Sequence, residues 1–68
     1  MFIVKTLDGY LSYKSEPVES EEDICFVEIA IHAKRFSDEH AATIASLILG
    51  DWLRDPIVLP YEGDDYLN

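Results

Sequence analysis

Positive charge is scarce in this sequence: five lysines and arginines stand against fourteen aspartates and glutamates, for a formal charge of −9. Affinity for a phosphate backbone rests on cationic contacts, so this balance argues against direct nucleic-acid binding. Cysteine is nearly absent. The single Cys25 has no internal disulfide partner, and between Ile24 and Phe26–Val27 it reads as a small core residue. Together with His32 and His40 it matches no spacing used for zinc. Glycine is equally sparse, and Gly9, Gly50 and Gly63 lie too far apart to build a phosphate-cradling loop. None of Ser12, Ser15, Ser20, Ser37 or Ser46 stands in a Gly-x-Ser-x-Gly elbow. Carboxylates abound, but general acid–base catalysis needs a pocket that raises a pKa, and acids crowded on a loop are ordinarily solvated. The expectation is a protein that is not an enzyme and uses no cofactor or metal. No run approaches the ~20 apolar residues of a membrane span, and Met1–Thr6 lacks the apolar core of a signal peptide. A cytoplasmic protein without membrane contact is expected.

What the chain does have is apolar content sufficient to fold: 49% of its 68 residues are hydrophobic and 12% aromatic. That length allows one core, so residues 1–68 are read as a single domain. A short chain with neither disulfide nor metal often supplements its core by pairing, which keeps a homodimer open as an alternative.

Phe2–Leu7 is apolar and β-branched, Asp8–Gly9 follows, and Tyr10–Lys14 resumes the β pattern. Asp-Gly between two such runs predicts a hairpin with a tight primed turn, because glycine accepts positive φ. Residues 15–23 contain Pro17 and five acids, with Val18 the only apolar side chain, and read as a solvated connection. Ile24–Val27 predicts a third strand, while 28–36 is compatible with its extension or with a helical turn. Ser37 before Asp38–Glu39 marks a helix start. Over 37–49, the stripe Ala41, Ile44, Ala45, Ile48, Leu49 and Trp52 predicts an amphipathic helix that packs on the sheet through Ile44, Ala45 and Ile48. Gly50 is the expected stop. Asp55–Pro56 breaks the chain again, and Ile57–Leu59, bounded by Pro60, reads as an edge strand. The expected class is α+β, in the order β-β-β-α-β: a small, mainly antiparallel sheet with one helix on one face, followed by a flexible acidic tail from about residue 62.

The candidate binding residues follow from where the acids fall. No base lies between Lys14 and Lys34, an interval that holds Glu16, Glu19, Glu21, Glu22, Asp23 and Glu28. Selection for solubility alone usually intersperses lysine among acids, so a one-sign patch points to docking on a basic surface. Glu16, Glu19, Glu21, Glu22 and Asp23 are the primary candidates for partner binding, and Asp64, Asp65 and Tyr66 near the C-terminus the secondary ones.

Phe2-Ile-Val-Lys-Thr-Leu-Asp-Gly-Tyr-Leu-Ser-Tyr13, then Ala33-Lys-Arg-Phe36 leading into a capped helix, then Ile57–Pro60, resembles short phage and prophage accessory proteins built as hairpin, turn, helix and strand. That group includes inhibitors of host defence, among them small acidic anti-CRISPR proteins. The resemblance implies an inhibitor by class only; the excess of acid and the lack of catalytic motifs lead to the expectation that it covers the basic, nucleic-acid-binding surface of a host protein. The resemblance carries no residue-level assignment. A structural or regulatory homodimer is the alternative.

Overall fold

The computed structural model of this protein describes residues 1–62; the expected acidic tail, with Asp64, Asp65 and Tyr66, lies outside the described residues. Four strands form one antiparallel sheet: β1 (Phe2–Thr6), β2 (Gly9–Tyr13), β3 (Ile24–Val27) and β4 (Ile57–Pro60), in the spatial order β3-β2-β1-β4. One helix, α1 (Glu39–Ile48), connects β3 to β4 and contacts β1 and β4. The α+β class and the edge position of the last strand are therefore as expected. Short 3₁₀ turns occupy Glu21–Asp23, Ala30–His32 and Gly50–Trp52.

The β1–β2 hairpin forms where Asp-Gly predicts one, but its turn is different. Thr6 pairs with Gly9, which leaves Leu7 and Asp8 as the turn residues, and neither has positive φ. The turn is thus not primed. Gly9 supplies the left-handed conformation one position later, with φ 126°. Buried Thr6 locks the loop: its hydroxyl donates to the Gly9 carbonyl at 2.9 Å and accepts from the Asp8 N–H at 3.0 Å. From outside, the Asp8 carboxylate receives both Nε and a terminal nitrogen of Arg54, at 3.1 and 2.7 Å. A two-pronged guanidinium contact of this kind fixes orientation as well as distance.

Beyond Lys5–Tyr10 the segment 33–36 reaches both hairpin strands. The Lys34 N–H donates to the Leu11 carbonyl at 2.9 Å, and Phe36 exchanges two backbone hydrogen bonds with Phe2, at 2.8 and 2.9 Å. Residues 28–36 consequently do not extend β3, and of the two expected readings the helical turn is the one found. A single 3₁₀ turn at Ala30–His32 redirects the chain so that Ala33 and Phe36 become buried.

The main core joins Val4, Leu11, Ile24 and Phe36 to Ala42, Leu49 and Leu53. Asp38, not Ser37, caps α1: its carboxylate accepts the Ala41 N–H at 2.7 Å. A carboxylate at this place both satisfies an orphan donor and complements the helix dipole. The helix ends at Ile48, with Leu49 as its C-cap and Gly50 opening a 3₁₀ turn. Its buried phase also differs from the expectation. Ala42 is completely buried and Leu49 is 6% exposed, whereas Ile44 is 40% and Ile48 74% exposed. At about 100° per residue, Ala42, Ala45 and Leu49 share one side of the helix and Ile44, Leu47 and Ile48 lie away from it. The isoleucines expected to bind the sheet therefore face outward, and only Ala45 of the three named residues packs against the core.

Candidate functional site: an acidic loop beside an apolar groove

Residues 15–23 are an organised loop rather than a merely solvated one. Its organiser is Asp23, whose carboxylate accepts the Ser15 hydroxyl at 2.8 Å, the Glu19 N–H at 2.8 Å and the Ser20 N–H at 3.1 Å. These bonds favour the charged form, and the Glu19 amide first, then the Ser15 hydroxyl, hold the Asp23 pKa below its ordinary value. The Asp23 backbone also receives Lys14, at 2.7 Å, so the loop is tied to the end of β2. Within the loop, the Glu16–Pro17 peptide is cis.

The expected binding residues divide into two groups. Glu16 is committed to Lys34, at 2.8 Å, and Asp23 to the loop itself. Glu19, Glu21 and Glu22 are exposed, and their carboxylates have no hydrogen-bond or ion-pair partner among the described residues. Glu28, just past the end of β3, is exposed too.

The bases are placed in the opposite way. Lys5 lies 5.7 Å from the centre of the Tyr10 ring; Lys34 pairs with Glu16 and sits over Tyr13 and Phe36, at 5.2 and 5.9 Å. Arg35 donates to the Ile31 carbonyl and lies 5.5 Å from the Tyr61 ring, and Arg54 holds Asp8. Four of the five basic side chains are thus spent on contacts within the fold. Lys5, Lys14 and Arg54 remain exposed, but the balance of charge at the surface is negative.

Beside the acidic loop runs an open groove with a volume of about 510 Å³. One wall is Pro17 and Val18, the other Ile44 and Ile48, and Tyr13 and Phe36 lie between them. Burial raises the Tyr13 pKa, against a smaller lowering by Lys34. The Lys34–Glu16 pair belongs to the same lining and neutralises itself there. From Ala41 to the end of α1 at Ile48 the helix carries no charged residue, and Leu47, 73% exposed, adds to the apolar surface beside Ile48.

Sequence reasoning did not anticipate this groove. A signal was nevertheless present: between Ala41 and Leu49 only Thr43 and Ser46 are polar, which is more apolar surface than one sheet-facing stripe uses.

The remaining chemistry-bearing side chains are dispersed. Cys25 is half-buried on β3, and His32 and His40 are exposed. Among the described residues no group of three or more His, Cys, Asp or Glu is placed to hold a metal ion, and no helix is long and apolar enough to cross a membrane. The chain matches no protein-family model, no curated protein and no solved structure.

Proposed function

We propose that this protein acts by binding, and that its acidic loop docks on the basic, nucleic-acid-handling surface of a protein partner, which it thereby inhibits. The observation carrying this reading is the division of charge: the carboxylates of Glu19, Glu21 and Glu22 stand without partners on a loop organised by Asp23, while four of the five bases are engaged in contacts within the fold. An ordered one-sign patch steers a basic partner and occupies positions otherwise taken by phosphates, without the ordering cost of a mobile loop. The reading places the protein in the cytoplasm of a host cell, with no enzymatic role, and accords with the resemblance to phage-encoded inhibitors of host defence.

The test is competition. A basic nucleic-acid-binding protein of a host defence complex, loaded with labelled nucleic acid, is challenged with the parent and with the Glu21→Lys/Glu22→Lys variant at low and high salt. The parent should displace the nucleic acid at low salt, and the variant should be weaker on the order of tenfold, with the gap closing as salt rises. Equal displacement by both proteins at low salt would remove the acidic loop from the interface.

A further inference from the structure

We infer that the groove between Glu16–Val18 and α1 is the seat for a cationic amphipathic segment of the protein partner, whose apolar side chains enter the groove while its lysines or arginines meet the acids around it. This inference rests on the acidic-docking reading above and adds to it an anchor of a different chemistry. Two features of the surface coincide here. Ile44, Leu47 and Ile48 are 40, 73 and 74% exposed on one side of α1, an unusual grouping of large apolar side chains on so small and so charged a protein. The groove that Ile44 and Ile48 line is closed on its other side by the loop that carries Glu19, Glu21 and Glu22.

Charge complementarity selects the occupant. Glu16 lies in the lining itself, Glu19 follows Val18 directly, and exposed Asp38 and Glu39 precede the helical wall. The one base in the lining, Lys34, is held by Glu16 at 2.8 Å and covered on Tyr13 and Phe36. A seat of this kind is apolar within and anionic at its margins. Helix-in-groove recognition uses the same division, with apolar anchors at helical spacing and charges alongside. A second copy of this chain would bring another formal charge of −9 to the same margins, whereas a cationic segment removes that repulsion.

The test titrates the ¹⁵N-labelled full chain with three synthetic helical peptides. The first carries leucines at i, i+3, i+4 and i+7 with lysine elsewhere; the second replaces lysine by glutamate, and the third replaces leucine by alanine. The leucine–lysine peptide should shift the amide resonances of 17–18 and 41–49, and the other two should bind more weakly on the order of tenfold or not at all. Ile48→Asp alters a side chain exposed to solvent, so its amide spectrum should remain that of a folded chain while its affinity for the first peptide falls by a similar factor.

Equal affinity of parent and Ile48→Asp, with shifts confined to 19–22, would overturn the groove as the seat and leave the acidic docking reading standing. Equal binding of the leucine–glutamate peptide would overturn the charge argument. Concentration-dependent shifts of 41–49 without any peptide, matched by a dimer in sedimentation and abolished by Ile48→Asp, would assign the groove to a second copy instead. Failure of both lysine peptides to bind would overturn the inference together with the reading beneath it.

Discussion

Gly9 shows how much one residue decides. Its φ of 126° lies where side chains are rarely accommodated, and a Cβ placed there would meet the backbone carbonyl oxygen of Val27 at 2.9 Å. Strain and collision act together, and the obstructing atom belongs to β3, so relief requires moving a paired strand. Gly9→Val should cost about 2–4 kcal/mol in chemical denaturation, more than strain of 1–3 kcal/mol alone would impose. A loss below about 1 kcal/mol would show that β3 yields without cost. Asp23 is the second decisive residue. Its folded pKa is depressed below the ordinary 3.8, so its contribution is present above that value and is lost as pH falls through the lower folded pKa. Accordingly, the Glu19 and Ser20 amide resonances should keep their neutral-pH positions at the ordinary carboxylate pKa and move only under more acidic conditions. Movement of these amides around pH 5 would mean that the Asp23 carboxylate does not organise the loop.

Among the elements, α1 is the one whose existence and whose orientation have different origins. Its capping carboxylate, its helix-forming composition and the glycine beyond its end make it a helix; its phase depends on what lies beneath it. Two apolar stripes compete along 41–49. The stripe through Ala42, Ala45 and Leu49 wins the sheet: Ala42 keeps the backbone close to the strands, and Leu49 with Leu53 fills the space beyond, consistent with the close packing of interiors. Leu49→Ala should therefore cost about 2–4 kcal/mol, whereas Ile48→Asp should change stability by less than about 1 kcal/mol, as surface substitutions usually do. Thermal or urea unfolding of the two variants decides between the phases. A severe loss from Ile48→Asp, with Leu49→Ala tolerated, would mean that the isoleucine stripe faces the sheet after all.

For the whole molecule, a formal charge of −9 on 68 residues opposes compaction through self-repulsion. The fold tempers this locally with the Arg54–Asp8 and Lys34–Glu16 pairs, but exposed pairs of this kind contribute little individually. Added salt should thus raise the melting temperature of the parent, and by less in Glu21→Lys/Glu22→Lys, where four units of negative charge are removed from the loop's balance. A melting temperature lowered by salt in the parent would show that the internal ion pairs outweigh the repulsion. At this scale the division between sequence and structure is plain. Composition and local pattern determined by themselves that the chain is an acidic α+β domain, because turn residues, alternating apolar runs and the helix start are local signals that survive without knowledge of the neighbours. They located β3 within its observed bounds and β4 at an edge for the same reason. Tertiary structure alone decided the rest. Which apolar stripe of α1 is buried depends on the shape of the sheet below it, the path of 33–36 on hydrogen-bonding groups left by β1 and β2, and the roles of Glu16 and Asp23 on partners far along the chain or folded back upon them. The groove arises from these choices together, since it exists only where a helix laid on the sheet by its alanines leaves its isoleucines facing a loop that Asp23 has closed.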